Sequence, residues 1–146
     1  MLIREIEYTD LSELLNLYTY LHDNIIPAIN ETIEALWYEI TNDHNHHIIA
    51  GIMDNKIIST CVMMIIPNLT NQQRPYALVE NVVTHPAYRN KGYATQVLGY
   101  ARNLAVANNC YKIMLMTGSK QEATLNFYER AGYNRNDKTA FIQWFI

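Results

Sequence analysis

The fold of this chain is set by residues 82–95, which read VVTHPAYRNKGYAT. An apolar strand should end at Pro86, because proline has no N–H to donate to a sheet. A short polar loop then leads directly into an amphipathic helix that begins near Gly92. The stretch therefore predicts a strand, a turn and a helix whose N-terminus faces outward.

The start of that helix predicts an anion site. The N–H groups of residues 90–94 are expected to lack intrahelical partners, and the helix dipole adds partial positive charge. Arg89 and Lys91 add full charges, and Gly92 allows a ligand to approach the backbone. A pyrophosphate would fit there. The loop lacks the sequence patterns of a nucleotide P-loop and of a dinucleotide fold, which disfavours ATP and NAD.

Strands and helices alternate along the rest of the chain. Asp10 with Glu13, Asn30, and Ser119 with Glu122 are typical of helix starts, while Gly132 is typical of a helix end. The predicted order is strand, two helices, three strands, helix, strand, helix, strand. The strands are expected at Leu2–Tyr8, His47–Met53, Lys56–Ile66, Tyr76–Thr84, Tyr111–Thr117 and Ala140–Ile146.

The crossover between the later strands fixes the fold class as α/β. A helix that connects two strands of one sheet requires those strands to be parallel. Tyr111–Thr117 is nearly all apolar, which predicts a strand buried on both faces. The Asp54–Asn55 pair earlier in the chain predicts a hairpin turn, so an antiparallel meander should precede the parallel pair.

Composition limits the classes of protein to which this chain could belong. With 146 residues and 49% hydrophobic residues, the chain is expected to form one domain over residues 1–146. A net charge of -3 without a basic stripe disfavours nucleic acid as a partner. The longest apolar run, Cys61–Ile66, is far short of the roughly 20 residues that cross a membrane. Cys61 and Cys110 are isolated, which favours a reducing, cytoplasmic location.

Metal and covalent chemistry find no support in the sequence. His44, His46 and His47 lie in a polar turn without a cysteine partner and without the spacing of a zinc enzyme, so no metal site is expected. Neither cysteine has neighbours typical of a nucleophile, and no serine elbow accompanies a histidine.

Two motifs resemble those of the GNAT acetyltransferases. Residues 82–94 are similar to the family's acetyl-CoA motif, Val-x-x-Pro-x-Tyr-Arg-x-x-Gly-x-Gly/Ala. Residues 127–133, FYERAGY, are similar to its second motif, Phe-Tyr-x-x-x-Gly-Phe/Tyr. The resemblance implies a single N-acetyltransferase domain of GNAT-type α/β fold. Such a fold has a central mixed sheet of about six to seven strands, a parallel pair splayed around acetyl-CoA, and about four helices.

The resemblance also implies acetyl-CoA as the co-substrate. The backbone of residues 83–85 would bind the pantetheine arm, and the helix start would bind the pyrophosphate, so side chains on the strand should matter less. Many members carry asparagine seven residues before the motif tyrosine, where this chain has Gln121; that contact is lost or made differently. The expected cofactor-binding residues are Val83, Thr84, His85, Arg89, Asn90, Lys91, Gly92, Tyr93, Ala94, Thr95 and Gln96.

The implied reaction is direct transfer of an acetyl group to a primary amine in a ternary complex. Glu80 is the candidate general base, since a free amine near pKa 10.4 is mostly charged at neutral pH. Tyr128, which matches the tyrosine of the second motif, is the candidate general acid for the thiolate. The structural alternatives are a solvated or ion-paired strand glutamate for Glu80 and a core aromatic for Tyr128.

Several functional questions stay open at the level of sequence. A non-catalytic acyl-CoA-binding sensor or interaction module is the alternative to an enzyme. The acceptor is a small-molecule or peptide amine. Acidic residues near Trp37 and Tyr38, namely Asp23, Glu31, Glu34 and Glu39, suggest a small cationic amine, and a solvated acidic helix face is an equally good interpretation of them. A homodimer is allowed, although the sequence leaves the oligomeric state open.

Overall fold

A five-stranded mixed sheet forms the centre of the molecule in the computed structural model, which describes residues 1–22 and 25–145. Neighbouring strands follow chain order, antiparallel from the first to the fourth and parallel between the fourth and fifth. The α/β class and a meander followed by a parallel pair are thereby confirmed. The strands are β1 (Leu2–Glu5), β2 (His46–Met53), β3 (Lys56–Ile66), β4 (Tyr76–Thr84) and β5 (Ile113–Leu115).

The predicted helices are also present. They are α1 (Leu11–Tyr18), α2 (Glu31–Asn42), α3 (Tyr93–Ala107) and α4 (Glu122–Arg130), with short 3-10 turns at Tyr8–Asp10 and Pro86–Tyr88. No helix in the described part of the chain has both the length and the apolar character needed to span a membrane.

The chemistry of the helix ends was predicted with mixed success. Asn30 caps α2, because its side-chain oxygen accepts a hydrogen bond from the Ile33 N–H at 3.0 Å. The capping pair of Asp10 with Glu13 was wrong: the Asp10 carboxylate accepts from the Glu7 N–H and from Arg4, each at 2.6 Å. An ion pair with Arg4 of β1 and a hydrogen bond from the Glu7 N–H therefore engage the Asp10 carboxylate in place of a cap on α1.

The last helix likewise begins without the predicted capping box. Gln121, rather than Ser119, occupies the N-cap position of α4, and it makes no side-chain capping bond. The Ser119 hydroxyl accepts from the Gln121 N–H at 3.3 Å and so shapes the turn before the helix. Gly132 ends the helix as predicted, with a φ of 99° that favours glycine.

Side-chain alternation along the sheet separates two cores. Ile49 and Met63 pack with α3 on one face, whereas their neighbours Ile48 and Val62 pack with α1 and α2 on the other. The buried Thr60 hydroxyl donates to the Ile49 carbonyl at 2.7 Å, so this polar group within the sheet is satisfied.

The strand count differs from the prediction at the C-terminus. The sheet has five strands rather than six to seven, and residues 140–145 form neither strand nor helix, while Ile146 lies outside the described residues. β5 is also shorter than Tyr111–Thr117 and is half-buried rather than buried on both faces. An apolar, β-forming sequence shows that a segment can pair, but it does not supply the partner strand.

A bulge in β4 opens the sheet. Asn81 and Val82 together lie opposite Cys61, and Asn81 has a φ of 50°, which asparagine tolerates better than most residues. Pairing between β4 and β5 ends just before it, at Val79 and Leu115. The two parallel strands part beyond that pair, and the gap becomes the cleft described next.

Candidate active site

A cavity of about 760 Å³ lies between β4, the start of α3, and α4. Clefts of this size are typical of small-molecule and cofactor sites. A smaller cavity of about 290 Å³ lies between α2 and the β1–β2 edge, and none of the predicted site residues line it. The larger cavity is lined by Val82, Val83, Thr84, Tyr88, Arg89, Asn90, Gly92, Tyr93, Ala94, Thr95, Ala123, Thr124, Asn126, Phe127, Tyr128 and Arg130.

One side of this cleft, residues 89–95, presents main-chain donors, and we call it the backbone wall. Within the described chain, no N–H of residues 90–95 donates to a protein acceptor; the next, that of Gln96, bonds to the Gly92 carbonyl at 3.2 Å. Gly92 is the N-cap of α3 with a φ of 78°, and Asn90 is also left-handed at 59°. This row of free donors at the positive end of a 15-residue helix suits a phosphate group.

The two cations of the loop are held differently. Arg89 lines the cleft, and its Nε donates to the Thr84 carbonyl at 3.0 Å. Lys91 does not line it: its Nζ donates to the Ala87 carbonyl at 3.1 Å and lies 5.4 Å from the centre of the Tyr88 ring. Arg89 is therefore the loop cation with donors available to a ligand in the cleft.

His85 has a structural place at the end of β4. Its N–H donates to the Ile58 carbonyl at 2.8 Å, and its Nδ1 accepts from the Ala87 N–H at 3.2 Å. Because Nδ1 accepts, Nε2 carries the proton and donates to the Tyr20 hydroxyl at 3.2 Å. Of the predicted cofactor-binding residues, the structure brings eight to the cleft and leaves His85, Lys91 and Gln96 outside its lining.

The opposite side is formed by α4, and we call it the side-chain wall. Sequence reasoning selected Tyr128 here but missed Thr124, Asn126 and Arg130, which also line the cleft. Only Thr124 carried a signal in the sequence, because it lies four residues before Tyr128 and so shares its helical face. Asn126 and Arg130 lie two residues from Tyr128, a spacing that does not predict a shared face. Gln121 is exposed and does not line the cavity, so Asn126 is the side-chain amide of this wall.

Tyr128 belongs both to the packed core and to the cleft. Its ring lies 4.9 Å from that of Phe127 and 6.4 Å, edge-on, from that of Tyr133. Its hydroxyl has no hydrogen bond to any described residue. Burial, followed by the nearby Cys61 and Glu80 side chains, raises the pKa of Tyr128, so the phenol stays protonated at neutral pH.

Glu80 lies on β4 next to the bulge. It pairs in register with Val62, is exposed, and forms no ion pair or hydrogen bond with a described residue. It does not line the cavity, yet its charge contributes to the raised pKa of Tyr128. The structure thus brings the two predicted catalytic residues within electrostatic reach of each other.

The buried Cys61 and the histidine His47 have structural surroundings in the described chain. Cys61 is 0% exposed, and burial raises the pKa of its thiol to about 12, which keeps it a thiol. His47 pairs through Nδ1 with Glu5 at 2.8 Å. Among the described residues, no three metal-binding side chains converge.

Comparison with known proteins gives a family and relatives of known structure. Residues 9–133 match the model of the Acetyltransferase (GNAT) family. A glucosamine 6-phosphate N-acetyltransferase of Trypanosoma brucei brucei is 26% identical over 144 residues, covering 93% of this chain and 90% of the relative.

Two solved structures show the same architecture. A putative acetyltransferase from Agrobacterium tumefaciens str. C58 is 33% identical with a TM-score of 0.91, covering 99% of this chain and 100% of that one. An aminoglycoside N-acetyltransferase solved in complex with CoA is 16% identical with a TM-score of 0.77, covering 99% of each chain. The second likeness shows the fold alone.

Proposed function

The chain belongs to the GNAT acetyltransferase family, and from that premise we propose that it transfers the acetyl group of acetyl-CoA to a primary amine. The observation that carries the proposal is the row of N–H groups from Asn90 to Thr95 that have no acceptor in the described chain, at the edge of a cleft that Tyr128 lines from the other side. An anion site and a protonated phenol across one cleft are what a CoA thioester requires at its two ends.

The fit of acetyl-CoA is supported by both main chain and side chains. Beyond Val79, β4 has no described partner on its β5 side, so the backbone near Val83 is free to bond the amides of the pantetheine arm. The backbone wall supplies N–H groups to the pyrophosphate. Arg89 and Arg130, which line the cleft from its two sides, add the guanidinium charges that suit phosphates.

The proposed chemistry assigns one proton transfer to each candidate. The amine nitrogen attacks the thioester carbonyl carbon, and Glu80, directly or through water, takes the proton that the nitrogen loses. The carbon–sulfur bond breaks, and the Tyr128 hydroxyl donates a proton to the departing thiolate, whose conjugate thiol has a pKa near 8.5. No covalent acyl-enzyme forms, which agrees with the buried, protonated Cys61.

A small-molecule amine is the proposed acceptor. We rank an amino sugar phosphate first among such amines, because the Trypanosoma relative is a glucosamine 6-phosphate N-acetyltransferase. The structure corrects one part of the sequence argument for the acceptor: Trp37 is buried, and its Nε1 donates to the Tyr8 carbonyl at 2.8 Å, so it does not border an entrance. Asp23 lies outside the described residues. The acidic residues of α2, namely Glu31, Glu34 and Glu39, are exposed and do not line the cleft, which matches the alternative of a solvated helix face.

Release of CoA thiol over a panel of amines tests the proposal. The panel holds glucosamine 6-phosphate, glucosamine, an aminoglycoside and a lysine peptide, with acetyl-CoA alone as the blank. With at least one amine, we expect the rate of CoA release from acetyl-CoA to exceed that of the blank. Glu80→Gln should slow this release most at low pH, because little of the amine is unprotonated there and a general base is needed most. Tight CoA binding without release for any amine would favour the acyl-CoA sensor instead.

We place the reaction in the cytoplasm, since Cys61 and Cys110 are both free thiols.

A further inference from the structure

The Tyr18 hydroxyl is a buried polar group that lacks a partner. Tyr18 ends α1 and packs against the core that α1 and α2 form on the sheet, which includes Val62 and Val83. Its hydroxyl oxygen is closed to solvent and forms no hydrogen bond with a described residue. Burial raises the pKa of this phenol, so it keeps its proton at neutral pH. A buried donor without an acceptor is costly, so this hydroxyl calls for an explanation.

Asn81 is the polar neighbour of that hydroxyl. Its side chain lies close enough to the phenol to offset part of the rise in pKa that burial causes. Asn81 itself is exposed and belongs to the bulge of β4, where it has a φ of 50°. Residues held in the left-handed region cost free energy, and they cluster at functional sites. The Asn81 amide therefore reaches a buried phenol on one side and solvent on the other.

Asn81 adjoins the candidate general base on the face of the sheet that α1 and α2 cover. Glu80 pairs directly with Val62, so the two side chains point to the same face. Val62 and Tyr18 belong to the core of that face, whereas Tyr128 packs against the core of the α3 face. An amine that approaches Glu80 from the α1 side would therefore meet Asn81 beside it, while the thioester is reached from the side of Tyr128.

Hydrogen-bond chemistry decides how the Asn81 amide is turned. The protonated Tyr18 phenol has one donor, and Oδ1 of the amide is an acceptor, whereas Nδ2 has only donors. An O–H group that donates to Oδ1 satisfies the buried donor, and the opposite orientation of the amide leaves it unsatisfied. With Oδ1 turned toward Tyr18, the N–H groups of Nδ2 face the open side next to Glu80. Hydrogen bonds in active sites often reach good geometry only in the complex with substrate, which is compatible with a phenol that lies beside the amide without a bond.

We propose that Asn81 selects amines that carry an oxygen on the neighbouring carbon, and that Tyr18 is the positioning residue that orients its amide. The inference rests on the proposed acetyl transfer. Glu80 and Asn81 are consecutive, with Cα atoms about 3.8 Å apart, so their polar groups suit two ligand atoms that are close neighbours. With the amine nitrogen at Glu80, Nδ2 of Asn81 donates to the neighbouring oxygen. A second ammonium group in that place would meet donors instead of acceptors. The substrate class is therefore the 1,2-amino alcohols, which include glucosamine, and excludes 1,2-diamines.

Three cyclohexane amines that differ in a single group test this selection. They are trans-2-aminocyclohexanol, cyclohexylamine and trans-1,2-diaminocyclohexane, and glucosamine is measured beside them. Release of CoA thiol from acetyl-CoA gives kcat/KM for each, expressed per concentration of unprotonated amine. The native chain should prefer the amino alcohol over cyclohexylamine by about tenfold, the value of one hydrogen bond to a substrate oxygen. The diamine should be the poorest of the three.

Variants separate a positioning role of Tyr18 from a merely structural one. Tyr18→Phe should lower the preference to about twofold or less at an unchanged or higher melting temperature, because the lost hydroxyl has no partner of its own. Asn81→Gly removes the amide at a φ that suits glycine and should abolish the preference as well. Adding Tyr18→Phe to Asn81→Gly should change nothing further, because Tyr18 acts through the amide. Tyr76→Phe, at the opposite end of β4, is the matched control and should keep the native preference.

The outcomes distinguish failure of the selection from failure of the proposed function. Equal rates with the amino alcohol and cyclohexylamine, a preference for the diamine, or a Tyr18→Phe variant with the native preference would each overturn the inference while acetyl transfer stood. So would acetylation confined to amines without a neighbouring oxygen. If glucosamine alone is acetylated, its kcat/KM should fall about tenfold in Tyr18→Phe and stay native in Tyr76→Phe, and an equal effect of the two variants would overturn the inference. Release of CoA with no amine at all would reject the proposed function, and the selection with it.

Discussion

The two walls of the cleft present different chemistry from similar helices. The backbone wall at the start of α3 offers N–H groups, and its residues matter chiefly for the conformation they permit. The side-chain wall on α4 offers functional groups, among them the Tyr128 hydroxyl and the Arg130 guanidinium. A helix that meets a ligand with its end uses its main chain, and a helix that meets it with its flank uses its side chains.

This difference explains why the two motifs specify different properties, namely backbone conformation in the first motif and a functional group in the second. In residues 82–94 the decisive residues are Pro86 and Gly92, which shape the backbone. In α4 the decisive residue is Tyr128, which carries a reactive group. Substitutions on the backbone wall should therefore change CoA binding through backbone conformation and local charge. Substitutions on the side-chain wall should change binding or turnover through the loss of a single functional group.

The largest effect is expected from Gly92→Glu on the backbone wall. A Cβ at this position would meet no atom within 4 Å, so the variant should fold, although a φ of 78° strains any side chain. A carboxylate about 4 Å from a phosphate repels it by roughly 4 kcal/mol at an effective dielectric of about 20, or roughly a thousandfold in affinity. Isothermal titration with CoA measures the loss.

Gly92→Gln is the matched control for that variant, because it has the same size and the same backbone strain without the charge. It should lose far less affinity than Gly92→Glu. Equal affinity of the two folded variants for CoA would show that no phosphate lies at this helix start, and the backbone wall would lose its assigned role.

Tyr128→Phe should have the next largest effect, on turnover rather than on binding. The change keeps the ring contacts with Phe127 and Tyr133, and the lost hydroxyl has no described hydrogen-bond partner that would be left unpaired. Turnover should fall by about tenfold to a thousandfold, the usual range for one proton-transfer group, while CoA affinity and melting temperature stay near native.

Tyr133→Phe is the control for Tyr128, since it removes a neighbouring hydroxyl that does not line the cleft. The Tyr133 hydroxyl is buried without a hydrogen-bond partner among the described residues, so its loss should leave stability equal or higher and turnover unchanged. If a folded Tyr128→Phe enzyme keeps native turnover, solvent or another side chain protonates the leaving group.

Local sequence chemistry was enough to predict much of the frame of this site. The Asp54–Asn55 turn, with both residues left-handed, and the Gly132 helix end follow from preferences that act within a few residues. The bulge at Asn81 that opens the cleft could not be predicted, because it depends on the register with β3. Trp37 was misplaced for a related reason: periodicity shows that a residue is apolar on one face but does not show what that face contacts.

Arg130→Gln tests whether the side-chain wall contributes positive charge to CoA binding. Arg130 is exposed and pairs with no described carboxylate, so its charge is available to a phosphate at the mouth of the cleft. Its loss should weaken CoA binding about fivefold to tenfold at low salt and less at high salt, because exposed charges are screened. Arg102→Gln, at an exposed arginine of α3 outside the cleft lining, should change nothing. The assignment fails if the two variants bind CoA alike.

The smallest effects come from Thr95→Val and Thr124→Val, which compare the two walls directly. Both threonines line the cleft, and valine keeps their shape while it removes the hydroxyl. On the backbone wall the N–H of residue 95 remains, so Thr95→Val should change CoA affinity by less than about twofold. On the side-chain wall the hydroxyl is itself the group offered, and Thr124→Val should lose about fivefold, the value of one hydrogen bond of about 1 kcal/mol. The reverse ranking in titrations with CoA would mean that the first wall also binds through side chains, and the division between helix end and helix flank would not hold for this cleft.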